Sequence, residues 1–296
     1  MAKATPNVNS IKNASKDIQK EGKKVAKDAA FSPLMEKLMR LGYAVKGSLY
    51  VAIGLIAIAG ALGKSTTPAD QLGAIVAFSK LPNASMIMWI LLIGLVSYSL
   101  WGVVRAVFDP FHKGSDLKGL MARGGFLLSA ITYALLVVPT YHLINGARGG
   151  TGSNSTVKMV STVMNMPMGR WLIGAAGLAV IAAGLYQVYM GIKMNFDKFY
   201  KPYNLSSEQF NVAKQMGRFG TAARGIVFAL VGFFLVLAAY QANPGHASGF
   251  DGAFKYLAHQ PYGLWLLGII ALGLIAFGLY SLMMAAWLRL RRPSNA

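Results

Sequence analysis

The chain is read as an all-α, polytopic membrane protein in which six transmembrane helices form three tandem two-helix repeats. Three observations predict this. First, six apolar runs of about 20 residues are long enough to cross a hydrocarbon layer of about 30 Å. They cover Tyr43–Leu62, Met86–Val107, Gly124–Ile144, Trp171–Ile192, Ala222–Tyr240 and Tyr262–Leu288. Backbone groups inside lipid must be satisfied within their own segment, so runs of this kind are helices and not open strands. Second, two sets of landmarks recur three times along the chain. Third, 23 of the 29 Lys and Arg residues fall on one side of the spans and six on the other.

The landmarks fix the repeat. Arg40-Leu41-Gly42-Tyr43 with Lys46-Gly47, Tyr50 and Gly54 returns as Arg218-Phe219-Gly220-Thr221 with Arg224-Gly225, Phe228 and Gly232. A more worn copy carries Arg123, Gly125, Ala130 and Tyr133. In the second halves, Pro82, Pro167 and Pro261 align, as do Trp101, Tyr186 and Tyr280. The first set is spaced by 83 and 95 residues and the second by 85 and 94, an agreement that points to duplication. The implied units are residues 33–114, 115–200 and 201–290, with an arm at 1–32 and a basic tail at 291–296. Two-helix units all run in the same direction, so their symmetry axis lies along the membrane normal. A pseudo-threefold bundle follows, with a linear row as the alternative.

Between the spans, Leu72–Leu81, Val157–Met166 and Gly252–Gln260 are amphipathic and too short to cross, and are read as helices at the outer interface. In the arm, Ile11, Ala14, Ile18, Val25 and Ala29 recur at helical spacing among six lysines, which predicts a weakly amphipathic basic helix ending at Phe31-Ser32-Pro33. It is read either as a tail drawn to anionic lipid headgroups or as a docking arm for a protein partner. No aromatic residue is interleaved with those lysines, which argues against nucleic acid despite the net charge of +19. The charge asymmetry places both termini in the cytoplasm, with the first span as an uncleaved signal. The absence of cysteine excludes disulfides and thiolate chemistry.

The pattern Arg-x-Gly-Tyr-x-x-Lys/Arg-Gly-x-x-Tyr/Phe, followed by Gln-Pro-x-Gly and Gly-Leu-x-x-x-Gly-Leu-Tyr, resembles the domain-of-unknown-function 1206 family of bacterial integral membrane proteins. It is best kept in Arg218–Gly232, Gln260–Gly263 and Gly273–Tyr280, fair in Arg40–Gly54 and degraded in the middle repeat. The resemblance spans about Arg40 to Leu288. It implies the repeated two-helix fold and a bacterial inner-membrane setting, and brings no catalytic or ligand residues.

Candidate functional residues are few. Lys46 and Arg224 occupy one repeat position, where the middle repeat has Ser129. Either they snorkel to the interface or they face a vestibule, binding an anionic headgroup or pairing with Asp109 and Asp197. Arg40, Arg123 and Arg218 are the charge common to all repeats, acting as topology anchors or as a ring reading phosphates. Pro139 removes a backbone donor and could open a cavity with Tyr133 and His142, or merely relieve packing. The four histidines show no metal-ligand spacing, and the methionines Met159, Met164, Met166 and Met168 suit interfacial packing better than copper.

No paired carboxylates and no nucleophile–base set emerge, so an enzyme is not expected. The ten acidic residues avoid the span centres, which weighs against a cation-coupled transporter. Two readings remain. One is a non-catalytic accessory or scaffold subunit of a larger membrane complex, holding lipid or a hydrophobic cofactor such as a quinone. The other is a channel or transporter for a small or anionic solute, which needs Ser97, Ser129, Thr132, Gln187 and Ser281 to converge on one lumen.

Overall fold

The computed structural model describes Asp28 and residues 30–110, 114–146, 153–193 and 206–287. The arm up to residue 27, Asp197 and the tail from residue 288 lie outside the described residues. Six long helices are apolar enough to span: α1 (Pro33–Ala61), α3 (Ala84–Phe108), α4 (Leu117–Ile144), α6 (Gly169–Lys193), α7 (Ser207–Tyr240) and α9 (Gly263–Trp287). Three short helices sit between them, α2 (Gln71–Phe78), α5 (Ser153–Met164) and α8 (Phe250–Ala258). They match the three amphipathic stretches and mark the loop end of the bundle; Arg40, Arg123 and Arg218 mark the opposite, basic end.

Local chemistry sets the helix starts. Ser32 accepts from the Met35 amide at 3.2 Å with Pro33 in the first turn, a position where proline loses no helical bond. Ser206 and Gln209 form a reciprocal capping box. These caps start α1 and α7 ten and fifteen residues before the apolar runs expected at Tyr43 and Ala222, because the polar residues ahead of each run are themselves good helix formers. Entry into the second span of every repeat uses one device. The residue after each proline, Asn83, Met168 or Tyr262, is left-handed at φ of 58°, 59° and 58°. This backbone triplet is a second mark of the duplication.

Packing follows the repeats in a cycle. The second span of one repeat joins the first span of the next through small residues: α3 with α4, α6 with α7, and α9 with α1. A Cβ placed on Gly184 would lie 2.6 Å from the Gly225 carbonyl, and one on Gly278 would lie 2.6 Å from that of Gly47. At the equivalent contact of α3 and α4, the Ser99 hydroxyl donates to the Ala130 carbonyl at 2.8 Å. Small residues allow this approach where lipid offers no hydrophobic drive for helix association.

Contacts within a repeat are not equal. In repeat 1, α1 packs on α3, and a Cβ on Gly42 would lie 2.7 Å from the Tyr98 backbone. In repeat 3, α7 packs on α9, and a Cβ on Gly220 would collide with the Phe277 backbone. In repeat 2, α4 and α6 share no comparable interface, and a Cβ on Gly125 would meet nothing within 4 Å. The most apolar stretch of α4 and of α6 is 17% buried, against 39–50% for the other four spans. Among the described residues, the bundle is thus a pseudo-threefold ring opened between the two helices of the middle repeat.

Candidate functional site

The interior of the ring is aromatic and cationic. Lys46, on α1, is 6% exposed, and its ammonium donates to the Tyr98 hydroxyl at 2.8 Å. The same nitrogen stands 4.8 Å from the Tyr98 ring centroid and 4.9 Å from that of Phe277. Arg224, on α7, lies over Phe228, Phe277 and Tyr50 at 4.8, 5.0 and 5.4 Å. Arg105, in the last turn of α3, is 5% exposed and lies over Phe126 and Tyr98 at 4.6 and 5.2 Å, with a long 3.5 Å bond to the Tyr43 hydroxyl. Tyr98 meets Tyr133 at 4.5 Å and Tyr50 meets Phe277 at 4.8 Å, so buried rings fill the axis.

Burial makes these charges costly. At 1.5 Å per residue, Lys46 and Arg224 lie about 22 and 24 Å from the loop ends of their helices, within a layer of about 30 Å, and Arg105 lies at about 31 Å. Removing an ion from water costs several kcal/mol even after relaxation. A desolvated cation–π contact returns about 2 kcal/mol, and Tyr98 and Phe277 are each shared between two cations. Among the described residues no ion pair joins Lys46, Arg105 or Arg224 to a carboxylate. Nε and Nη2 of Arg105 and Nε of Arg224 are buried without an acceptor. Among the described residues, the site therefore carries positive charge that no carboxylate balances.

The sequence candidates separate into groups. Lys46 and Arg224 come together in the core; Lys46 does not snorkel, because the rings and the Tyr98 hydroxyl hold its ammonium inside. Neither pairs with Asp109, whose carboxylate accepts from the Gly114 amide at 2.8 Å. Arg123 donates to the carbonyls of Ala106 and Val107 at the end of α3, and Arg218 does the same to Gly191 and Ile192 at the end of α6. Arg40 pairs with Glu36 at 3.1 Å. Arg123 and Arg218 thus cap and tie helix ends. Tyr133 is buried on the axis, whereas Pro139 is partly exposed and His142 is exposed in the last turn of α4, so these three do not line one cavity. Ser97, Thr132 and Ser281 each donate to a carbonyl four residues back on their own helix.

Arg105, Tyr98 and Phe277 were not singled out from the sequence. Tyr98, Trp101 and Arg105 recur at helical spacing and share one face, which was the available signal. In the sequence Arg105 is one of the 23 basic residues on one side of the spans, which hides its burial.

At the loop end, Asp251 accepts from the Ala69 amide at 3.3 Å and pairs with Lys255 at 2.8 Å, tying repeat 3 to repeat 1. Asp70 caps α2 by accepting from Gly73 at 2.7 Å. Burial raises the Asp70 carboxyl above the usual range; the bond from Gly73 opposes this and the nearby Asp251 charge adds to it.

Six apolar helices in three like-oriented pairs, arranged around an aromatic and cationic interior, define a multi-pass membrane protein of tandem two-helix repeats. The chain belongs to the family described as Domain of Unknown Function (DUF1206), whose profile matches residues 41–109, 124–194 and 219–288. It is similar to "Uncharacterized protein YxxB" of Bacillus subtilis (strain 168), at 33% identity over 251 residues, 85% of this chain and 90% of that protein. No solved structure matches the chain.

Proposed function

We propose that this is a non-catalytic protein of the bacterial inner membrane that holds an anionic, membrane-borne ligand in its core. In this reading it serves as an accessory or scaffold subunit beside a larger membrane protein. The observation that carries the proposal is a group of three cations, the buried Lys46 and Arg105 and the half-buried Arg224, packed on aromatic rings with no carboxylate partner among the described residues. An acidic lipid or an anionic hydrophobic cofactor supplies the missing charge. The basic end faces the cytoplasm, in keeping with the distribution of Lys and Arg.

The alternative, passage of a small anion along the axis, draws on the same cations. The rings of Tyr50, Tyr98, Tyr133 and Phe277, none more than 5% exposed, favour holding over passage because they occupy the path. Native mass spectrometry of the protein taken from its own membranes in mild detergent tests both parts of the proposal. A stoichiometric anionic ligand, lost from a Lys46→Met/Arg224→Met variant, supports the receptor, and a co-purifying membrane protein supports the subunit role. A bare protein that conducts anions across liposomes overturns the proposal.

A further inference from the structure

We infer that the ligand is a single anionic phospholipid that enters sideways, between α4 and α6, with its phosphate at the cations and an acyl chain in the gap. The inference rests on the receptor reading and adds the ligand class and the route.

The opening is built, position by position, from substitutions in the middle repeat. Where repeats 1 and 3 place Tyr98 and Phe277, repeat 2 has Ala183, which is exposed. Where they pair Val45 with Gly94 and Ala223 with Gly273 in close contact, repeat 2 has Leu128, 57% exposed, and Ala179, also exposed. Where they place Lys46 and Arg224, it has Ser129. The missing ring at residue 183 removes the wall that closes the other two repeats. Ser129 and Arg224 are both partly exposed, unlike Lys46, so the cationic core is not fully enclosed.

The two ends of this path differ in chemistry. Inside are the acceptor-free Nε of Arg224 and the 5% exposed guanidinium of Arg105. Outside are apolar margins, with Leu128 and Leu135 of α4 exposed two turns apart and Leu178 and Leu185 of α6 likewise. A cationic floor below an apolar cleft is complementary to a phosphate carrying a hydrocarbon chain. A free phosphate from water would lack any match for the cleft, and the ring-filled axis gives it no route from the loop end.

The test uses the full chain in nanodiscs containing phosphatidylglycerol and phosphatidylcholine in equal amounts. Lipid retained after transfer to detergent is counted by native mass spectrometry, and inorganic phosphate binding is measured in parallel. We expect one retained phosphatidylglycerol per chain, preferred over phosphatidylcholine by about tenfold or more, or about 1.4 kcal/mol. Ala183→Trp, which rebuilds the missing ring, should abolish retention. Gly125→Leu, which fills the gap from the opposite wall, serves if the first variant fails to fold. Equal retention of both lipids, or undiminished phosphatidylglycerol in both variants, overturns the inference. Phosphate binding without lipid preference overturns it but leaves the receptor reading; binding of neither overturns both.

Discussion

The middle repeat and the two outer repeats descend from one pattern yet meet their neighbours differently. All three keep the small-residue interface between consecutive repeats, at Ser99 and Ala130, Gly184 and Gly225, and Gly278 and Gly47. Only the outer two keep the interface inside the repeat, at Gly42 with Tyr98 and Gly220 with Phe277. The ring is therefore held by contacts between repeats, which leaves one repeat free to open without dismantling the bundle. The middle repeat has Ala183 where the outer two have an aromatic and Ser129 where they have a cation, and its two helices stand apart.

The largest expected effect concerns the cations. A Lys46→Met/Arg224→Met variant should lose bound anionic ligand by about tenfold or more. Freed of ligand, it should unfold no earlier than the ligand-free parent, since replacing buried ions with apolar residues of similar volume is often neutral or stabilising. A marked loss of thermal stability in that comparison would instead make the cations structural. The glycine triplet gives the next test. Gly42→Ala and Gly220→Ala should each cost about 1–3 kcal/mol by overpacking against backbone. Gly125→Ala should be neutral or stabilise by up to about 1 kcal/mol, because alanine is the better helix former and its Cβ meets nothing. Thermal unfolding in detergent separates these outcomes.

The arginine triplet sharpens the comparison at lower amplitude. Arg123→Ala and Arg218→Ala each remove two bonds to helix-end carbonyls and should cost about 1–2 kcal/mol. The half-buried i,i+4 pair of Arg40 with Glu36 should contribute about 0.5 kcal/mol or less in a double-mutant cycle. At the loop end, the raised Asp70 carboxyl means the folded protein holds its proton more tightly than the unfolded chain. That contribution is complete at pH below the ordinary carboxylate range and is lost as pH rises through the folded value. Asp70→Asn keeps an acceptor for Gly73 and should flatten this decline, as read from unfolding scans at stepped pH. The smallest effect falls at the left-handed turns. Met168→Asn, copying Asn83, should change stability by less than about 1 kcal/mol, whereas the β-branched Met168→Val should destabilise.

Much of the fold was legible because the signals were long or repeated. Spans of about 20 apolar residues and two independent sets of landmarks left little freedom for the six helices and their register. The short helices were found because they kept amphipathic spacing between polar turns. The cationic core was only half visible. Lys46 and Arg224 stood out by their shared repeat position, but a basic residue near a span end reads as snorkelling unless aromatic rings on other helices are known to enclose it. Arg105 was hidden by the same logic. The opening was not legible, since Gly125 still carries the motif and its lost partner at residue 183 can be recognised only once the helices are placed.

Chemical cross-linking in native membranes tests the open ring most directly, because the chain has no cysteine of its own. Three equivalent pairs are compared: Val45→Cys with Gly94→Cys, Leu128→Cys with Ala179→Cys, and Ala223→Cys with Gly273→Cys. A disulfide needs Cβ atoms about 3.5–4.5 Å apart; those of the first and third pairs would start at 2.7 and 2.2 Å, so the bond forms once the helices part by about 1–2 Å. The first and third pairs should form disulfides on mild oxidation, and the middle pair should not. A middle pair that cross-links as fast as the other two would show a closed ring and contradict the account.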